Sequence, residues 1–231
     1  MQLSVALPVF SETESVIEIV NWLKKYIREL YEVIIIISPK SSKESKDICN
    51  RLAKRDYVKV YTQKNNPGLG NAYREGIEYA KGDYILMLDS DGEMSLWSIP
   101  LMIDKINQGF DGVVGSRFMK GGGVEGYNPL KLIYNKIYQF VVGKMFRTHI
   151  TDLSLGFKMM RTDMMQSIKW EGTMHEFATE STLLPIKKGF VLDQVPAQWK
   201  CREQGVSKNK MINNLRYPKM AWKIWLEKNT Q

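Results

Sequence analysis

Cysteine and histidine are scarce in this chain, and the few present are badly placed for metal chemistry. Cys49 and Cys201 lie far apart, and neither they nor His149 and His175 fall at ligand spacing. The histidines are expected to be structural and the thiols reduced, as in a cytosolic protein. No apolar stretch approaches the roughly 20 residues of a membrane span. Met1 leads straight into strand-like "QLSVALPVF" without a basic segment, so a secretory leader is not expected. Internal repeats, low-complexity tracts and a clear interdomain linker are also missing. "PGLGNA" lacks the lysine of a phosphate loop and reads as a tight turn into a helix.

What is there is a balanced globular composition, with 231 residues, 44% hydrophobic and 25% charged. That length buries a full core, in one large domain or one domain plus a tail. The net charge of +8 is unevenly placed. Between Lys200 and Lys228 eight basic residues face only Glu203 and Glu227. A basic tail on a near-neutral body implies an anionic partner at one place.

Strands and helices alternate from the start. "LSVALPV", "EVIIII", "VKVYT", "YILML" and "GVVGS" read as strands. Between them "SETESVIEIVNWLKKYIREL", "KESKDICNRLAKR", "GLGNAYREGIEYA" and a stretch near 95–107 read as helices. In the first helix Ser11 and Glu14 form a capping-box pattern, with Val16, Ile19, Val20, Leu23, Ile27 and Leu30 on one face. The order predicts an α/β sandwich with a mainly parallel sheet. Beyond residue 117 the pattern loosens into a glycine-rich loop, "MKGGGVEGYNP", that reads equally as a mobile lid or a plain connection. An amphipathic helix "LKLIYNKIYQFVVGKMF" follows, then the helix "FATESTLLPIKKG" and strands near "FVLDQVP" and "AQWKC".

"GDYILMLDSDGEM" carries the chemistry. An unbroken apolar run suits a parallel strand buried on both faces, and Asp89, Asp91 and Glu93 follow it at alternate positions. In α/β sheets ligands bind at the carboxyl ends of strands. Three carboxylates there suit a hard cation, Mg2+ or Mn2+, which keeps waters and shares its shell with substrate phosphates. Acidic residues in a solvated turn are the alternative on these residues alone.

Five blocks in register resolve that choice: "LPVFSETESV", "NNPGLGNAYREGIEYAKGDYILMLDSDGEM", "DGVVGSRFMKGGGVEGY", "TDLSLGFKMMRTD" and "KCREQGVSK". Together, over about residues 3 to 210, the chain resembles family 2 glycosyltransferases, and within them the dolichyl- or polyprenyl-phosphate hexosyltransferases. The resemblance implies a GT-A (Rossmann-like) three-layer α/β/α sandwich spanning 1–210, beyond which residues 211–231 read, from their own composition, as a basic, Trp-containing helix. It implies metal-dependent, inverting transfer of a hexosyl group from a nucleotide sugar, a GDP- or UDP-hexose, to polyprenyl phosphate. Asp89, Asp91 and Glu93 would hold the metal. Pro8, Phe10, Glu12, Asp89, Ser90 and Asp91 would contact the nucleotide sugar. Arg117, Lys131, Asn135, Arg202 and Lys208 would face the acceptor phosphate.

A phosphate acceptor is already ionised near neutrality and needs cations rather than a base. A saccharide hydroxyl would need one, and Asp152 is the candidate. One block departs from the family: where Asp-Asp-Gly-Ser-x-Asp-Gly-Thr is usual, Ser38 to Ser45 read "SPKSSKES". Proline accepts nothing through its side chain and lysine only donates, which also keeps open a relative that binds without turnover. In the tail, Trp222 and Trp225 among Lys219, Lys223 and Lys228 suit an interfacial helix on anionic lipid, or else packing onto the domain. The expected location is cytoplasmic, peripheral to a membrane face. No nucleic-acid partner is expected, because such a partner leaves the acidic cluster unexplained.

Overall fold

The computed structural model describes residues 1–201 and 215–227. Its contacts sort into two compact units, one formed by residues 1–92 with 157–174 and the other by 93–156 with the described residues from 175 onward.

The first unit begins with β1 (Leu3–Val9), α1 (Glu14–Tyr26), β2 (Leu30–Ile37), α2 (Lys43–Leu52), β3 (Val58–Thr62), α3 (Leu69–Tyr79) and β4 (Tyr84–Met87). Its strands run in the order β3-β2-β1-β4, then β7 (Lys158–Arg161), which precedes the short α6 (Thr162–Ser167). All pairings are parallel except β4 with β7. β1 is buried at every position and β2 from Glu32 onward, so this part of the sheet is covered on both faces. That double cover is why Val5, Leu7, Ile34, Ile35 and Ile36 show no alternation with polar residues. The order in which successive strands are added reverses at β1, which has β2 on one side and β4 on the other. The carboxyl ends of β1 and β4 therefore flank a topological switch point.

Helix α1 starts at Glu14 with Thr13 as its cap, and no side chain caps it. The Ser11–Glu14 box does not form. Instead Glu12 turns back and accepts the amide N–H groups of Phe10 (2.7 Å) and Ser11 (3.0 Å). Val16, Ile19, Val20 and Leu23 form the buried face, while Leu30 already belongs to β2. Ser42, by contrast, caps α2 through Ser45 N–H at 3.2 Å.

The second unit holds α4 (Ser98–Asn107), β5 (Gly112–Ser116), β6 (Gly123–Glu125), α5 (Pro129–Met145), α7 (Phe177–Lys187), β8 (Leu192–Pro196), β9 (Gln198–Lys200) and α8 (Arg216–Leu226). β5 pairs with β8 and β6 with β9, both in parallel. The glycine-rich loop is thus partly strand. Gly122 donates to Met119 O and Gly123 to Ala197 O. A Cβ on Gly122 would lie 2.3 Å from Ser116 O, so the main chain folds against itself where only glycine fits.

Asn128 caps α5 by accepting Lys131 N–H, with Pro129 in the first turn. The orientation of α5 inverts the usual pattern: Leu130, Ile133, Ile137 and Val141 are exposed, while Gln139 and Tyr138 are buried. Helix α8 docks through Ala221 and Ile224 and leaves Trp222, Trp225 and Leu226 exposed. Lys187 of α7 holds its end, donating to the carbonyls of Ile224, Trp225 and Glu227. Among the described residues no helix is long and apolar enough to cross a membrane.

Candidate active site

At the switch point the loops after β1 and β4 are tied together. Ser90 Oγ donates to Pro8 O at 2.5 Å, and Ser15 Oγ donates to Ser90 O at 2.7 Å. Ser90 and Pro8 are buried, whereas Asp89 and Asp91 on either side of Ser90 are half-buried. Ser90 thus anchors the turn, and its two carboxylate neighbours stand at the rim.

Asp89 has a second restraint that the sequence did not announce. Tyr73 of α3 donates its hydroxyl to Asp89 Oδ1 at 2.6 Å. The tyrosine is buried at 2% exposure. Burial first, then the charges of Asp89 and Asp91, pushes its pKa well above the ordinary value, so it remains a donor. A fixed hydroxyl of this kind orients one carboxylate lone pair. The only sequence hint was its position, one α/β unit ahead of the aspartates.

Two carboxylates offer hard oxygen donors and suit Mg2+ or Mn2+ by their chemistry. Among the described residues no group of three or more His, Cys, Asp and Glu side chains gathers as a metal cluster. A divalent ion here would take its remaining ligands from diphosphate oxygens and water. Glu93 begins the second unit, where its carbonyl accepts Lys200 N–H at 2.9 Å.

The loop after β2 shows what replaces the missing aspartates. Ser38 is buried, and its hydroxyl accepts Asn66 Nδ2–H at 2.8 Å and Lys40 N–H at 3.2 Å. Asn66 also donates to Gln63 Oε1 at 2.9 Å. Pro39 and Lys40 are exposed, and the Pro39 carbonyl accepts Lys46 Nζ at 2.7 Å. Side-chain amides and a hydroxyl thus pair at the strand end where the resembled family usually carries aspartates. Phe10 is exposed on the neighbouring loop. One further buried lysine was not anticipated: Lys158 of β7 has no solvent exposure and sits in register with Met87 of β4.

The second unit gathers another set. Arg117, just after β5, grips Asp152 through Nε–Oδ2 at 2.6 Å and Nη2–Oδ1 at 3.0 Å. Its amide N–H adds a third bond at 3.2 Å. Asp152 has no exposure and the Arg117 side chain only 8%. Burial works against the guanidinium charge, and the Asp152 carboxylate overcomes that, leaving the pKa raised. From α5, Gln139 donates to Ser154 Oγ at 2.8 Å and accepts Leu153 N–H at 2.7 Å. Asn135 accepts from Gln139 at 3.2 Å and donates to Tyr127 Oη at 3.1 Å. Lys131 Nζ lies 5.4 Å from the Tyr127 ring centre.

Lys131 and Asn135 thus meet at Tyr127, and Arg117 reaches Asn135 through Ser154, to whose hydroxyl it donates at 3.4 Å. Asp152 is held at both oxygens by the Arg117 guanidinium, an arrangement that orients the arginine. Arg202 and Lys208 lie outside the described residues.

An α/β chain with this strand order and paired aspartates at the switch point is of the GT-A class. It belongs to glycosyl transferase family 2, whose family model matches residues 4–169. It is 26% identical over 213 residues to the dolichol-phosphate mannosyltransferase of Pyrococcus furiosus, covering 91% of this chain and 60% of that protein. It is 24% identical to the polyprenol monophosphomannose synthase of Mycolicibacterium smegmatis, covering 88% of this chain and 79% of that one. Among solved structures, glucosyl-3-phosphoglycerate synthase from Mycobacterium tuberculosis, in complex with Mn2+, UDP and phosphoglyceric acid, superposes with a TM-score of 0.71. The identity is 12%, with 99% of this chain and 80% of that chain covered, so this likeness speaks to fold.

Proposed function

We propose that the chain catalyses inverting transfer of a hexosyl group from a nucleotide sugar to polyprenyl phosphate. Asp89 and Asp91 would hold a divalent ion, Mg2+ or Mn2+. Such an ion, when bound, supplies Lewis-acid neutralisation of the departing diphosphate. Tyr73 keeps Asp89 aimed, and Ser90 locks the turn onto Pro8. Phe10 and the Ser38–Asn66 amide cluster would meet the nucleotide, whose base, guanine or uracil, must be read without the usual carboxylates.

The observation that carries the acceptor assignment is the buried Arg117–Asp152 pair. A hydroxyl acceptor must lose its proton, and Asp152 is committed to the guanidinium. A phosphate monoester arrives ionised, its second pKa being about 6, and attacks through an oxygen that already carries charge. Arg117, Lys131 and Asn135 then bind and orient it, with Arg202 and Lys208 as further cations. The two curated relatives are named for mannosyl transfer to lipid-linked phosphates, which points the same way. Helix α8, with Trp222 and Trp225 exposed among basic residues, would rest on an anionic membrane surface, placing the enzyme as a peripheral protein.

Lys131→Ala tests the assignment. It should raise the KM for short-chain polyprenyl phosphate about tenfold or more, since charge-assisted hydrogen bonds contribute roughly 1.5–3 kcal/mol. Donor binding should stay unchanged by calorimetry. An unchanged acceptor KM removes Lys131 from the acceptor site. Glycosylation of a free sugar alcohol or phosphoglycerate, with none of polyprenyl phosphate, overturns the acceptor class.

A further inference from the structure

We propose that Asn66 reads the pairing edge of the donor's base and selects uracil, a specificity that rests on the nucleotide-sugar reading above and narrows it. Asn66 lies on the loop between β3 and α3 and is half-buried. Both of its amide N–H groups are in use, one donating to Ser38 Oγ at 2.8 Å and the other to Gln63 Oε1 at 2.9 Å. Its carbonyl oxygen, Oδ1, accepts from no donor among the described residues.

A chain of amides fixes which atom is left over. Gln63 is buried, and its Nε2 donates to two main-chain carbonyls, those of Asn65 at 3.1 Å and Gly68 at 2.8 Å. Carbonyls only accept, so Gln63 must place its nitrogen there and its oxygen towards Asn66. An Asn66 turned over would set oxygen against oxygen at 2.9 Å, so its nitrogen stays on Gln63 and Oδ1 remains the acceptor. Glu75 pins the loop itself, its carboxylate accepting the N–H groups of Lys64 at 3.0 Å and Asn65 at 2.7 Å. Ser38 supplies the complement. Its oxygen accepts from Asn66 and from the Lys40 amide, so its own proton remains to donate. The end of β2 thus offers one neutral acceptor beside one neutral donor, with the Lys40 ammonium exposed on the same loop.

Position assigns this pair to the base. β2 lies two strands from β4, roughly 10 Å across the sheet, and the diphosphate belongs with Asp89 and Asp91 beyond β4. A nucleoside extends from the diphosphate across that interval, along the carboxyl ends where α/β sheets take nucleotides. Phe10, exposed on the loop after the intervening β1, offers a ring face for stacking.

Hydrogen-bond chemistry then selects among bases. Uracil carries one ring N–H flanked by two carbonyls, so Asn66 Oδ1 accepts N3–H while the Ser38 hydroxyl donates to an adjacent carbonyl. Cytosine and adenine carry an unprotonated ring nitrogen at that place, which would set lone pair against lone pair. Guanine carries two neighbouring donors, N1–H and the exocyclic N2 amine, and they call for two acceptors. The carboxylates on the adjoining loops already hold main-chain amides, Glu75 those of Lys64 and Asn65, Glu12 those of Phe10 and Ser11. A single amide oxygen beside a hydroxyl therefore suits the imide edge of uracil.

The test is calorimetry on the full chain with Mn2+ and four probes: UDP, GDP, CDP and N3-methyl-UDP. UDP should bind about tenfold more tightly than each of the other three. Methylation replaces only the N3 proton, so its effect isolates the ring N–H. Asn66→Ala should weaken UDP binding about tenfold and leave CDP nearly unchanged; a merely structural role would weaken both alike. Asn66→Asp, which supplies two acceptor oxygens, should move the preference towards GDP. Three results overturn the proposal: equal affinity for UDP and N3-methyl-UDP, tighter binding of GDP or CDP by the parent protein, or an Asn66→Ala variant that keeps the UDP-to-CDP ratio. The first two need no variant, so they decide the matter even where a substitution disturbs the loop. The transferase reading fails separately. Tight UDP binding without transfer to polyprenyl phosphate would refute that acceptor class and leave the base assignment intact, whereas no binding of any nucleotide would refute both.

Discussion

Replacing Asp152 by asparagine separates the two roles its position allows. In the structure the carboxylate accepts three bonds from Arg117, the guanidinium bonds at 2.6 and 3.0 Å, and has no solvent exposure. Breaking a buried ion pair from one side costs about 3–5 kcal/mol, because the partner stays buried and unpaired. For a protein of this size each kcal/mol moves the melting temperature by roughly 2–4 °C. Asp152→Asn should therefore lower it by roughly 6–20 °C, towards the lower part of that range because the amide oxygen still accepts from Gln139 and Ser154. Arg117→Met with Asp152→Leu should lose less than the sum of the single changes, since no charge is left stranded. Thermal denaturation by circular dichroism reads both. A free catalytic base would behave differently: Asp152→Asn would melt like the parent and abolish only the basic-limb dependence of the rate. That outcome would refute the positioning role and revive a hydroxyl acceptor.

Tyr73→Phe removes the 2.6 Å bond to Asp89 and should weaken Mn2+-dependent nucleotide binding about tenfold; equal affinity in calorimetry would show that Tyr73 does not position the carboxylate. Gly122→Ala should destabilise the glycine-rich segment, as its Cβ would fall 2.3 Å from Ser116 O; an unshifted urea midpoint would contradict that close approach. Burial, with Glu12 nearby, pushes the Cys49 thiol up to about 11 from 9.0. A folded pKa above the unfolded one gives a contribution fully present below pH 9 and lost as pH rises through about 11. At pH 8 a thiol reagent should therefore modify exposed Cys201 rapidly and Cys49 only after denaturation. Rapid reaction of two thiols in the native protein would contradict this.

The strands of the first unit were legible because double burial writes itself as unbroken apolar runs: Leu30–Ile37 and Tyr84–Met87 emerge close to where the sequence puts them, the former starting two residues earlier. β7 was not, since four residues, "KMMR", with a lysine at zero exposure carry neither alternation nor a clean apolar run. The Ser11–Glu14 box failed because Glu12 satisfies the loop amides first. Periodicity located α5, but a stripe of Leu130, Ile133 and Ile137 states only that a helix has two faces. Which face is buried was decided by Asp152 and Ser154, residues distant in sequence that need partners. For the same reason the aspartates of "DSDGEM" could be recognised in the sequence while Tyr73, which holds one of them, could not.

Transfer itself is the most direct measurement. Purified protein, Mn2+ and radiolabelled GDP-mannose or UDP-glucose are incubated with short-chain polyprenyl phosphate, and label is counted in the organic phase. The account predicts a lipid-linked hexose product with one of these donors. Asp91→Asn should nearly abolish it while leaving the folded structure intact, the residue lying just beyond a strand end. Undiminished transfer by Asp91→Asn, or no lipid-linked product with either donor from folded, nucleotide-binding protein, would contradict it.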